Sequence, residues 1–139
     1  MSSLIVARSA DGLSGWTVEP DRGIRADPTR FEERWGVEDP RITKIDGLYY
    51  VVYTGYSEGG PLVCLATTTD FVTFDRHGVL MPPEDKDASL FPIRFGGRGA
   101  LVHRPLPTTL GMAAHIWSSW SPDLRDWGTA QSLCQALRG

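Results

Sequence analysis

Two short stretches of the chain concentrate ionisable groups beside strand-like runs: Glu38-Asp39-Pro40-Arg41 and Lys86-Asp87-Ala88. An ordinary turn needs one Asp or Asn and a Gly, whereas the first stretch carries two carboxylates and a guanidinium in four residues. A third segment, His103-Arg104-Pro105, adds another guanidinium and an imidazole. Each stretch alone is also what a charged turn, a solvated loop or a capped strand end looks like. Their weight comes from recurring at matching places in a repeat. Metal chemistry is not expected, because Cys64 and Cys134 form no CxxC pair and have no ligand spacing with the three histidines. Both cysteines are expected to be reduced, partly buried thiols.

The elements that must hold these groups are strands. Helical periodicity is nearly absent, while β-rich runs appear at Leu4–Arg8, Tyr49–Thr54, Leu62–Thr67, Ala100–His103 and Ala113–Ser118. Fifteen glycines and ten prolines fit many turns between them. Tyr49, Tyr50 and Tyr53 read as strand core.

A turn motif repeats. Ala7–Trp16, Ala66–Phe74 and Ser119–Trp127 each run from a strand end through a hydroxyl residue to an Asp, with an aromatic four or five positions later. Asp11, Asp70 and Asp123 are expected to close turns onto backbone N–H groups, with the aromatic covering the turn's apolar floor. Their spacing, in the fifties, matches one four-stranded propeller blade, with Asp11-Gly12 and Asp46-Gly47 as turns inside blades. Glu38-Asp39 and Lys86-Asp87 then fall at equivalent points of successive blades, in loops just before a strand. The competing architecture is a small β-sandwich with coincidentally similar turns.

Length and charge narrow the rest. With 139 residues the chain suits one domain, and a net charge of −3 gives no reason to expect nucleic acid or a membrane surface as partner. The amino-terminal residues lack a basic stretch and a long apolar one, and no apolar run reaches the ~20 residues of a membrane span. A cytoplasmic location is the expectation.

Six motifs in order then carry a resemblance: W-G-V-E-D-P-R-I-T-x-I-D-G-x-Y-Y, Y-T-x-Y-S-x-x-G-P, A-T-T-x-D-F-x-x-F-x-R-x-G, K-D-A-x-L-F-P, H-R-P and S-x-S-P-D-L-x-x-W-G. Together they resemble glycoside hydrolase family 130, the mannoside phosphorylases and related β-mannosidases. The resemblance implies an all-β fold, an incomplete five-bladed β-propeller of roughly the first two to three blades, with residues 1–139 a partial catalytic domain entered midway through a blade.

For function, the resemblance implies inverting phosphorolysis of β-1,4-mannosyl-glucose or mannooligosaccharides, giving α-mannose 1-phosphate. Asp39 matches the family's proton donor, acting through a hydroxyl of the mannosyl residue. Arg104, with Lys86 and Arg41 behind it, is expected to bind phosphate, although Arg41 has the alternative of a salt bridge to Asp39. Glu38, Asp87 and His103 are expected to meet sugar hydroxyls or position the cations. Inorganic phosphate is the co-substrate, and no metal or organic cofactor is implied. One acid suffices because phosphate arrives as an anion, whereas an inverting hydrolase needs a second carboxylate for water. A β-mannosidase and a non-catalytic sugar-binding propeller are the alternatives. The chain alone is expected to turn over little substrate, and open blade faces make a homo-oligomer an expectation.

Overall fold

The computed structural model describes residues 1–106 and 115–135. Among these described residues, ten strands form three antiparallel sheets. The first sheet pairs β1 (Ser3–Arg8) with β2 (Thr17–Arg25). The second has the order β3 (Gly36–Ile45), β4 (Leu48–Ser57), β5 (Gly60–Thr68), β6 (Asp75–Val79). The third repeats that order with β7 (Asp85–Leu90), β8 (Gly99–Pro105), β9 (Ile116–Ser121) and β10 (Gly128–Cys134). These are two four-stranded meanders, or blades, preceded by a strand pair.

The Asp turns identify that pair. In all three, Asp Oδ1 accepts two backbone N–H groups: those of Leu13 and Ser14 for Asp11, Val72 and Thr73 for Asp70, and Arg125 and Asp126 for Asp123. A hydroxyl two residues earlier (Ser9, Thr68 or Ser121) accepts the N–H of the residue after each Asp. That residue has positive φ each time: Gly12 at +73°, Phe71 at +60° and Leu124 at +67°. In the two blades this turn joins the third strand to the fourth, so β1–β2 corresponds to the outer half of a blade. Phe74 and Trp127 pack on the core below their turns as expected. Trp16 instead stays 56% exposed.

Blade-to-blade packing makes the core. Ile24, Val37, Val51, Tyr53, Leu62, Cys64 and Ala66 fill the space between β1–β2 and the first blade. Val52, Val63, Leu65, Ala88, Leu90 and Leu101 fill the space between the two blades. Alternation along β4 sends Val51 and Tyr53 to one interface and Val52 to the other, so this strand is buried on both faces. Each such side chain contributes about 1.5–3 kcal/mol by leaving water. Thr43 of β3 donates its hydroxyl to the carbonyl of Leu90 on β7 at 3.1 Å, fastening the two inner strands together. Asp46-Gly47 closes the β3–β4 hairpin with φ of +51° and +84°, the mirror-image turn that matches strand twist.

Four of the expected β runs lie wholly inside β1, β4, β5 and β8. For the fifth, residues 116–118 lie in β9, and residues 113 and 114 lie outside those described. Cys64 is buried and its thiol is pushed up to about 12, mainly by burial, whereas Cys134 is exposed rather than partly buried. Among the described residues no helix is long and apolar enough to cross a membrane, and no group of three or more His, Cys, Asp or Glu is placed to hold a metal ion.

Candidate active site

The charged stretches lie within strands, not in loops ahead of them, because each inner strand accommodates an extra residue. On β3, Glu38 pairs with Thr54 and Arg41 with Val52, so Asp39 and Pro40 together oppose Tyr53. On β7, Lys86 pairs with Arg104 and Ser89 with Val102, so Asp87 and Ala88 together oppose His103. Both are one-residue β-bulges, the device that re-aims a side chain at a strand end. Asp39 has φ of +50° and Asp87 of +56°. Left-handed torsions at non-glycine residues cost about 1–3 kcal/mol and persist where the surroundings over-determine them. Aspartate is among the few side chains that tolerate them. The expected equivalence of Glu38-Asp39 with Lys86-Asp87 is therefore built into the backbone.

The side chains differ in setting. Glu38, Asp39 and Arg41 are exposed. Arg41 donates to the carbonyl of Pro40 at 3.2 Å and makes no ion pair with Asp39. Lys86 is half-buried and has no ion-pair partner among the described residues. Arg104 sits across from Lys86 and grips Asp87: its Nε donates to Asp87 Oδ2 at 2.7 Å, and its terminal NH2 reaches the same oxygen. The two side chains are about a third exposed (31% and 34%), so the pair is worth only ~0.2–1 kcal/mol.

His103 lies behind this surface, 1% exposed. Its Nδ1 is 2.5 Å from Asp85 Oδ2 and its Nε2 is 2.9 Å from Ser119 Oγ. In the neutral ring Nδ1–H donates to Asp85 and Nε2 accepts the Ser119 hydroxyl proton. Both nitrogens are thus engaged inside the blade interface. Tyr53, the matching residue of the first blade, is buried too and donates its hydroxyl to Glu33 Oε1 at 2.8 Å. Burial, then Cys64 and the bond to Glu33, push the Tyr53 hydroxyl far above the ordinary phenol range. Glu33 ends a short 3₁₀ turn (Phe31–Glu33) and is completely buried. Its Oε2 accepts from Arg76 at 2.6 Å and from the Asp27 N–H at 3.1 Å.

Sequence reasoning singled out Asp39 and Arg41 on β3, Lys86 and Asp87 on β7, and Arg104 beside them on β8, but missed Glu33, Arg76, Asp85 and Ser119. No spacing marks them; the one available signal was that Asp85 and Glu33 stand a few positions ahead of the two Asp bulges in otherwise similar acidic runs.

The family model of glycoside hydrolase family 130, described as beta-1,4-mannooligosaccharide phosphorylase, matches residues 2–137. The chain belongs to this family. It is 38% identical over 130 residues to a 1,2-beta-oligomannan phosphorylase of Thermoanaerobacter sp. (strain X514), covering 91% of this chain and 40% of that protein. It is 34% identical over 133 residues to a beta-1,2-mannobiose phosphorylase of Listeria innocua, covering 96% of this chain and 36% of that protein. A solved structure of a Listeria innocua beta-1,2-mannobiose phosphorylase, in complex with beta-1,2-mannobiose, superposes with a TM-score of 0.87 at 33% identity, over 99% of this chain and 38% of that one. The chain thus spans about two fifths of the relatives it matches, as two and a half blades of the family's five-bladed propeller.

Proposed function

We propose that this glycoside hydrolase family 130 chain supplies the acid and part of the phosphate cradle for inverting phosphorolysis of β-mannosides. The observation that carries the reading is the pair of bulges. They set an exposed carboxyl with no ion-pair partner among the described residues, Asp39, on the strand packed beside the one that carries Lys86 and Asp87, the latter held by Arg104.

Asp39 donates a proton, relayed through a mannosyl hydroxyl, to the glycosidic oxygen as the C1–O bond breaks. A phosphate oxygen forms the new bond to C1 from the opposite face, which yields α-mannose 1-phosphate and the freed sugar. Arg104 and Lys86 neutralise and orient the phosphate, with Arg41 at the rim. Glu38 and Asp87 meet sugar hydroxyls or fix the cations, and His103 acts from behind. No metal or organic cofactor takes part in this scheme, and a cytoplasmic setting, where phosphate is plentiful, suits it.

The linkage reading shifts from the β-1,4 expectation. The relatives named above act, by name, on β-1,2-linked mannans, so a β-1,2-mannobiose is the first substrate to test, with β-1,4-mannobiose beside it. Turnover by the 139-residue chain alone is expected to be low, because two and a half blades leave Asp39 exposed to solvent.

The test incubates the chain with each disaccharide, with and without phosphate, and follows the ³¹P signals of free and bound phosphate and of mannose 1-phosphate. Phosphate binding that Arg104→Ala abolishes, with phosphate-dependent product that Asp39→Asn abolishes, supports the reading. Mannose released without phosphate points to a hydrolase. A chain that neither binds phosphate nor forms product rules the proposal out.

A further inference from the structure

The bulge that aims Asp39 and the bulge that aims Asp87 share more than their torsion. In each, two residues of the inner strand face one residue of the second strand, and that one side chain turns inward to a buried acid. Tyr53 is tied to Glu33 at 2.8 Å and His103 to Asp85 at 2.5 Å. Tyr53, Glu33, His103 and Asp85 are all at most 2% exposed. Neither acid is an internal contact of the second strand. Glu33 comes from the 3₁₀ turn ahead of β3, and Asp85 from the start of β7, two residues before the bulge. Each tie therefore fastens the chain entering a bulge to the residue lying opposite it.

The ties reach further on both sides. Glu33 also binds Arg76 of β6, and Arg76 donates to the carbonyl of Arg25 on β2 at 2.6 Å, which links the first bulge to the neighbouring strand pair. Ser119 of β9 holds the other ring nitrogen of His103 at 2.9 Å. His103 is the sole hydrogen-bond partner of the Asp85 carboxylate among the described residues, since Asp85 Oδ1 has none. A left-handed aspartate needs its surroundings to hold it, and these are the groups that surround each bulge from below.

We propose that Tyr53 and His103 are positioning residues: Tyr53, fastened by Glu33, sets the Asp39 bulge, and His103, fastened by Asp85 and Ser119, sets the Asp87–Arg104 bulge. Neither touches substrate. The catalytic meaning of this assignment rests on the function proposed above, whereas the structural coupling stands or falls without it.

The experiment reads amide hydrogen exchange by NMR in the 139-residue chain, with the two bulges as each other's control. Tyr53→Phe removes a single oxygen. It is expected to speed exchange at least tenfold at the pairs flanking the first bulge, Glu38–Thr54 and Arg41–Val52. The pairs Lys86–Arg104 and Ser89–Val102 should stay within twofold of wild type. His103→Gln should give the reverse pattern. Ser119→Ala, which keeps the His103–Asp85 bond, should give a weaker version of that pattern and serves if His103→Gln does not fold.

Phosphate binding followed by ³¹P NMR adds a readout that general loosening does not produce. The second-blade variants should weaken phosphate binding about tenfold with Arg104 intact, and Tyr53→Phe should leave it unchanged. Exchange that rises uniformly along both blades, or stays unchanged at the bulge opposite the altered residue, overturns the proposal. If wild type binds no phosphate, the proposed cradle fails while the exchange pattern still decides the positioning roles.

Discussion

Asp39 on β3 and Asp87 on β7 adopt the same left-handed torsion, +50° and +56°, at the same one-residue bulge of successive inner strands. One backbone device has thus been given two electrostatic settings. Asp87 is neutralised by Arg104, while Asp39 has no ion-pair partner among the described residues. In the function proposed above, that contrast assigns Asp87 to orienting a cation and Asp39 to proton transfer.

Asp39→Asn should therefore be a nearly isosteric loss of the acid alone. Asparagine tolerates the left-handed torsion as aspartate does, so the melting temperature should hardly move, while mannose 1-phosphate formation falls by about 10²–10⁴. Asp39→Val should lose both, because a β-branched residue is strained at that torsion. Thermal melts of the two variants separate backbone from chemistry even where turnover is slow.

Arg104→Lys tests whether the guanidinium fork matters beyond its charge. Lysine cannot hold Asp87 through two nitrogens and still present a third to phosphate. Losing one charge-assisted hydrogen bond of about 1.5–3 kcal/mol should weaken phosphate binding roughly ten- to a hundredfold. A titration of phosphate against the variant, with unchanged affinity, would remove Arg104 from the cradle.

The three Asp turns make an acid-sensitive part of the fold. Backbone N–H donors lead the causes that hold Asp11, Asp70 and Asp123 below the ordinary carboxylate range. Groups depressed in this way contribute stability that is fully present above the unfolded value of about 3.9 and is lost as pH falls through the folded values. Melting temperatures taken by tryptophan fluorescence from pH 6 down to pH 2 should fall over the acid limb. Asp70→Asn keeps the Oδ1 acceptor but cannot ionise, so its curve should be flatter there. Asp70→Ala should be destabilised at every pH.

Gly55 marks where the 3₁₀ turn lies against β4. A Cβ there would stand 2.4 Å from the carbonyl oxygen of Glu32 and 3.0 Å from the sulfur of Cys64. The first obstacle is backbone, next to the residue that anchors Tyr53. Gly55→Ala should cost about 1–3 kcal/mol as overpacking, measured by urea unfolding, and a neutral result would mean that the turn yields freely.

Much of this arrangement was legible in the sequence where local chemistry dictates structure. The Asp turns carry their hydroxyl, acid and following residue in fixed order, and Asp46-Gly47 is a hairpin signal on its own. The pairing of Glu38-Asp39 with Lys86-Asp87 followed from the repeat. The bulges themselves were not legible, because an extra residue in a strand appears only when its partner's register is known. That is why these residues were expected in loops. β2 was hidden for a related reason: three residues, Pro20, Asp21 and Arg22, bulge out between the partners of Ile5 and Val6. His103 was expected to meet sugar hydroxyls or position the cations, because nothing in the chain announces that Asp85 and Ser119 close over it.

The strand pair β1–β2 gives the last expectation. As the outer half of a blade, β1 borders an apolar groove of about 270 Å³ lined by Leu4, Val6, Ile24, Ile42, Phe71 and Phe74. Ile5 and Ile42 are each 56% exposed beside it. Among the described residues β1 pairs along its length only with β2, and an unpaired apolar edge is a template for another strand. The 139-residue chain should therefore self-associate with rising concentration in sedimentation velocity runs, through two copies meeting at this edge. Ile5→Lys should shift the equilibrium towards monomer without lowering the melting temperature, since the side chain projects into solvent. A chain that stays monomeric across the range, or an Ile5→Lys variant that associates as before, would place the contact elsewhere or remove it.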